Sequence, residues 1–185
     1  MLTLPIEANL ELWLLEPRHA PELYALAVAN RAHIRAWMDW LDDGYSVETA
    51  RAQIVAALHR LADTGAPEYG VRFENALVGM VRINRIDPTN RSGTIGYWLA
   101  ADRTGRGIAG KAVAALVEHA FESLGLHRLE IHCNARNLAS RRVAERLGFV
   151  QEGVLCRAEA RGEGDVTVFD DTVIYGLLES EWRKR

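Results

Sequence analysis

The spacing of apolar residues changes period several times along the chain. Residues 10–16, LELWLLE, read as a strand. Around Pro21 the period turns helical, with Leu23, Leu26 and Ala27 on one side. A second helix is predicted in SVETARAQIVAALHRLADTG: Ser46 is its N-cap, Ile54, Leu58 and Leu61 its apolar stripe, and Gly65 its stop. The first third therefore reads as mostly helical. Three β-rich runs follow, YGVRF, LVGMVRINRI and TIGYWLA, separated by Glu74-Asn75 and by DPTNRSG, as in successive antiparallel strands. A helix over about 108–124, a strand in RLEIHC, a shorter helix over 138–147 and two strands around RGEGD complete the order, with Gly125 and Gly148 stopping the helices. No repeat, low-complexity tract or linker interrupts it. Residues 1–185 thus read as a single α/β domain, one mixed sheet with helices on its faces.

Composition adds limits. With 185 residues, 49% of them hydrophobic, the chain can bury an ordinary core without metals or disulfides. A net charge of −3 argues against a broad cationic face, so no nucleic-acid partner is expected. Cys133 and Cys156 are too few for a disulfide framework, and no C-x-x-C pair offers a metal site. The opening MLTLPIEANLEL lacks the pattern of a secretory signal, and no stretch approaches the roughly 18 apolar residues of a membrane span. The expectation is a cytoplasmic protein with no membrane partner and no metal.

Candidate chemistry centres on WLAADRTGRGIAGKAVAAL, residues 98–116, where an apolar strand runs through a glycine turn into a helix. The first N–H groups of a helix lack internal partners and carry about half a positive charge, so such a turn suits an anion. Gly105, Gly107 and Gly110 fit G-x-G-x-x-G, while Gly105 to Lys111 nearly fits the P-loop of nucleotide triphosphatases. The P-loop reading fails because Ala112 stands where a magnesium-holding hydroxyl is needed. A dinucleotide fold would open on this loop, yet about a hundred residues precede it, and Glu130 lies inside a strand and not at its carboxyl end. That reading stays as a weak alternative to a substituted diphosphate.

TGRGIA (104–109), NLASRRVAERLGF (137–149), WMDWL, INRIDPTNRSGTIGYWL, CNARNLAS and EGVLCRAE together resemble the GNAT superfamily of N-acetyltransferases, specifically its RimL/RimJ branch, which acetylates N-terminal amines of ribosomal proteins. The resemblance covers nearly the whole chain. It implies a mixed, mostly antiparallel central sheet with helices on both faces, and acetyl-CoA as cofactor. The pyrophosphate would be held by the turn from Thr104 through Gly105, Arg106, Gly107, Ile108 and Ala109 to Gly110. The pantetheine arm would lie along Trp98, Leu99, Ala100 and Ala101, with Asn137 and Ser140 also contributing. The superfamily usually opens this turn with Gln or Arg. Here it is Thr104, with Arg103 one position early, which is expected to weaken binding without abolishing it. Asn137 is also a good N-cap for the short helix, which could by itself account for it.

The branch places a serine resembling Ser140 beside the departing thiolate, where many relatives use a tyrosine that VAERLGF lacks. A thiol with pKa near 8.5 leaves readily enough for a hydrogen bond to suffice. The branch's proposed base falls on Glu159, a position that pattern alone would assign to an exposed strand-end acid. An α-amino group of pKa about 7.7–8.0 loses its proton at pH 7 for roughly 1–1.4 kcal/mol, against about 4.6 for lysine, which favours N-terminal acceptors. His132 is a rival base that could equally cover a sheet face, and Cys133 a rival nucleophile without a visible activator, so direct transfer is favoured. For the acceptor, the resemblance points to Trp37 and Trp40, with Asn84 and Tyr97 on neighbouring strands; spacing alone would put both tryptophans in the core. The resemblance implies a protein N-terminus as acceptor, with a small amine, such as a polyamine, an antibiotic or an amino acid, as the alternative. A non-catalytic CoA-binding module on the same fold is the reading from another class. The resemblance leaves a homodimer open.

Overall fold

The computed structural model describes residues 3–163 and 166–184. Contrary to the mostly helical start expected, the chain opens on a hairpin, β1 (Thr3–Glu7) and β2 (Leu10–Leu14). β1 alternates exposed and half-buried positions and contains Pro5, tolerable on an outer strand whose N–H groups need no second neighbour. Helix α1 (Ala20–Ala29) has Pro21 in its first turn, and a short α2 (Arg31–Arg35) follows. Helix α3 (Val47–Thr64) is capped by Ser46, whose Oγ accepts the Thr49 N–H at 3.2 Å, and ends on Gly65 at φ 74°. Its fully buried positions are Ala50, Ile54 and Ala57, while Leu58 and Leu61 are half-buried.

Strands β3 (Glu68–Phe73), β4 (Ala76–Asp87) and β5 (Ser92–Leu99) form the expected antiparallel meander. Helix α4 (Ile108–Glu122), β6 (Arg128–Asn134), α5 (Leu138–Arg146), β7 (Val150–Glu163), β8 (Val166–Leu178) and the short α6 (Glu179–Trp182) follow. The turn predicted in RGEGD includes Gly164 and Asp165, which lie outside the described residues. The described sheet runs β1-β2-β3-β4-β5-β6-β8-β7, and only β5 and β6 are parallel neighbours. The expected mixed, mostly antiparallel sheet is therefore present.

Alternation along the strands sends apolar side chains to two cores. Val81, Ile83, Ile95 and Leu99 pack with Ile108, Val113, Leu116 and Val117 of α4. On the opposite face Met80 and Trp98 pack with Leu23, Ile34, Leu41 and Ile54 of the α1–α3 region. Helices thus cover both faces, which accounts for the strong β-rich character of the central runs.

Two departures from regular pairing shape the functional region. β5 and β6 pair only from Ser92↔Arg128 to Ile95↔Ile131; β5 then continues on β4 through Leu99, while β6 continues on β8 through Asn134. The two strands therefore splay apart beyond Ile95. In β4, Ile83 opposes Ile95 and Arg85 opposes Thr94, which leaves Asn84 as a bulge at the point of divergence.

Candidate active site

At the mouth of the splay the chain leaves β5, passes a 3-10 turn (Ala101–Arg103) and enters α4. Gly105 and Gly107 hold φ of 74° and 78°, a region costly for side-chain-bearing residues. No side chain caps the N-terminus of this 15-residue helix. A Cβ added at Gly105, Gly107 or Gly110 would meet nothing within 4 Å, so the mouth of the helix is open. Arg103 pairs with Glu74 at 3.6 Å and Lys111 with Glu7 at 2.8 Å, whereas Arg106 has no ion-pair partner among the described residues. Thr104 turns its hydroxyl to the Ala101 carbonyl at 2.8 Å and its N–H to the same oxygen at 3.3 Å. An uncapped helix end with space for an anion and one uncommitted arginine fits a diphosphate. Asn30, the C-cap of α1, braces this corner by accepting the Ala101 N–H at 2.8 Å.

On the α4–α5 side of the splay, Asn137 caps α5: its Oδ1 accepts the Ser140 N–H at 3.1 Å. Ser140 is thereby fixed in the first turn, with its Oγ 2.9 Å from the Tyr97 Oη. Cys133 lies near the end of β6, buried. Burial pushes its thiol above the ordinary value, the Ser140 contact pulls back, and the Glu159 charge adds to the rise. A buried, protonated thiol is a poor nucleophile. The Cys133 side chain belongs to the core packed against α4.

The opposite face carries a cleft of about 970 Å³, lined among others by Trp37, Trp40, Asn84, Trp98, His132 and Glu159. Trp37 and Trp40 lie past the end of α2, half-buried; Trp40 packs on the α1–α3 core, as its spacing suggests, and both also line the cleft. Trp40 stands 6.0 Å from Trp98 and 5.5 Å from Tyr45, forming one aromatic wall. Asn84 lies across Gly96, where an added Cβ would come within 3.0 Å of its amide. Tyr97 also borders the cleft, but its hydroxyl reaches the other way, to Ser140. His132 is exposed and hydrogen-bonds Glu130 at 2.8 Å.

Glu159 reaches the cleft through a second bulge. Leu155 of β7 opposes Thr172 and Glu159 opposes Asp170, so three residues of β7, 156–158, stand against the single Asp171 of β8. Arg157 takes φ 48° inside the bulge, and its N–H donates to Asp171 Oδ1 at 2.8 Å. Burial pushes the Glu159 carboxyl above the ordinary carboxylate value; a hydrogen bond from Asn134 opposes this, and the charges of Asp170 and Asp39 push further up. Asn134 is one of two buried polar residues in the described chain. Its Oδ1 accepts the Arg136 N–H at 2.9 Å, which turns its amide nitrogen toward Asp170, 3.1 Å away. Sequence reasoning passed over Asn134, Asp39 and Asp170; the Asn directly after the apolar run ending in Cys133 was the available signal for the first.

The chain that builds this split sheet and open helix mouth belongs to the acetyltransferase (GNAT) domain family, which it matches over residues 9–150. It is 34% identical over 184 residues, 98% of each chain, to YdaF of Bacillus subtilis (strain 168), a protein provisionally named a ribosomal N-acetyltransferase. It is 31% identical over 176 residues to the ribosomal-protein-serine acetyltransferase of Escherichia coli (strain K12), covering 95% of this chain and 96% of that one. Among solved structures, RimL, the ribosomal L7/L12 α-N-protein acetyltransferase, in complex with coenzyme A superposes with a TM-score of 0.88 at 28% identity, over 95% of this chain and 97% of the other.

Proposed function

We propose that this protein is an acetyl-CoA-dependent N-acetyltransferase that modifies the N-terminal α-amine of a ribosomal protein, with Glu159 as base and Ser140 as hydrogen-bond donor to the leaving sulfur. The observation that carries the reading is the splayed β5/β6 seam, with Ser140 held at the start of α5 by Asn137 and Tyr97 and Glu159 lining the cleft beside Trp98 and His132. A relative named a ribosomal-protein-serine acetyltransferase and a structural neighbour named a ribosomal L7/L12 α-N-protein acetyltransferase support the acceptor class.

Acetyl-CoA, when bound, supplies a thioester whose C–S bond breaks as the acceptor's N–C bond forms. The free N–H groups at Gly105 to Gly110 and the Arg106 guanidinium hold its diphosphate, and the unpaired margin of β5 from Gly96 to Leu99 lies beside its arm. Trp37, Trp40 and Asn84 orient the acceptor chain. Glu159, a carboxylate of raised proton affinity, takes the ammonium proton directly or through water and passes it to solvent. Ser140, presented by the capped end of α5, donates its O–H to the sulfur as negative charge develops there. Cys133, a buried thiol, stays out of the chemistry, so acetyl moves directly from donor to amine. With ribosomal acceptors the enzyme acts in the cytoplasm.

Purified protein supplied with acetyl-CoA and a Ser-initiated ribosomal peptide should release coenzyme A thiol, detected colorimetrically, with mass spectrometry placing the acetyl on the α-amine. Glu159→Gln should lower kcat by about 10²-fold or more while leaving CoA binding intact, and Ser140→Ala should lower kcat by a similar factor. Turnover with polyamines or free amino acids but not with peptides would transfer the chemistry to a small-amine acceptor. No thiol release with any amine would leave a binding module.

A further inference from the structure

We propose that Tyr97 is a positioning residue for Ser140: its hydroxyl, 2.9 Å from Ser140 Oγ, donates to that oxygen and so frees the serine's own proton to point at the departing sulfur. This inference rests on the role given to Ser140 above.

The geometry gives the phenol a choice between two acceptors on one residue, Ser140 Oγ at 2.9 Å and the Ser140 carbonyl at 3.2 Å. A phenol has a single proton. If it goes to the carbonyl, the short contact to Oγ requires Ser140 to donate back to Tyr97, and the serine proton is committed. If it goes to Oγ, the serine proton is released. Rotation about one C–O bond therefore decides whether the Ser140 proton is tied to Tyr97. Neither partner can drift: Asn137 holds the Ser140 N–H, and the Tyr97 ring packs against the α4 core from a β5 position paired with Val81.

Tyr97 is not the proton source. Burial pushes its phenol well above the ordinary value of about 10, whereas a leaving thiol lies near 8.5, so transfer from phenol to thiolate is uphill by roughly thirtyfold or more. Its contribution is orientation.

The test is a double-mutant cycle with Tyr97→Phe and Ser140→Ala, kcat and KM being measured for wild type, both single variants and the pair. Tyr97→Phe should lower kcat about tenfold, with KM for acetyl-CoA and for peptide within about twofold and the CoA-induced rise in Tm retained. The double variant should be no slower than Ser140→Ala alone, because without the serine the phenol has nothing to orient. With a selenoester analogue of acetyl-CoA, whose leaving selenolate is a far weaker base, the loss in Tyr97→Phe should shrink toward zero. A wild-type kcat in Tyr97→Phe, losses that multiply in the double variant, or an unchanged loss with the selenoester would each overturn the inference while Ser140 keeps its role. A wild-type rate in Ser140→Ala would instead remove that role, and this proposal with it.

Discussion

Glu159 is poised by its neighbours one hydrogen bond and one charge at a time. Facing it are Asp170 on β8, Asp39 on the segment after α2, His132 and Asn134 on β6, and Arg136, which lies 3.7 Å from Asp170. Asn134 donates to the ionised carboxylate and so favours it; Asp170 repels the same charge. Asn134→Ala should therefore raise the Glu159 pKa and Asp170→Asn should lower it. Both can be followed by ¹³C carboxyl NMR titration, with Glu159→Gln assigning the resonance. A rate that depends on deprotonated Glu159 then loses activity at higher pH in Asn134→Ala than in wild type. Opposite signs from two substitutions at one cluster distinguish tuning from general disruption. Residue chemistry of this kind was partly legible in the chain. Ser140 and Glu159 were singled out by resemblance, and the capping power of Asn137 by its position. The clamp on Glu159 was not, because Asn134 and Asp170 meet it only across β6, β8 and β7.

At the scale of elements, glycine marks where backbone geometry serves binding. Gly107→Ala forces a side chain into φ 78° and should cost about 1–2 kcal/mol of stability as well as CoA affinity. Gly110 differs: it is helical, and because Cβ atoms tilt toward a helix N-terminus, an added methyl would enter the open mouth. Gly110→Ala should gain roughly 0.5–1 kcal/mol in thermal unfolding yet bind CoA more weakly by calorimetry. Opposite movement of the two quantities is the expected signature. Caps and periods made α3, α4, α5 and the central meander readable, since those signals are local. β1 was missed because a half-exposed outer strand containing Pro5 lacks the usual apolar run, and α2 because five residues are too few for a period. The bulges at Asn84 and after Leu155 were equally hidden: a bulge is a relation between two strands, and neither strand declares it alone.

For the whole molecule, binding and folding are linked. A ligand at a hundredfold excess over its Kd adds about 2.7 kcal/mol to the native state. For a chain of this size that corresponds to a rise of roughly 5–10 °C in Tm on adding acetyl-CoA, measurable by differential scanning fluorimetry. NAD or ATP at the same concentration should produce no such rise. Gly79 lies against the Trp98 carbonyl, where an added methyl would collide with backbone; Gly79→Ala should therefore lower Tm with or without CoA. The forked seam gives the molecule an asymmetry in time as well as in space. Amides from Gly93 to Ile95, laced into β6, should trade hydrogen for deuterium slowly, whereas those of the outer stretch facing the fork should trade fast until the acyl carrier zips it shut. Product inhibition by coenzyme A should be competitive with acetyl-CoA, since both would occupy the fork.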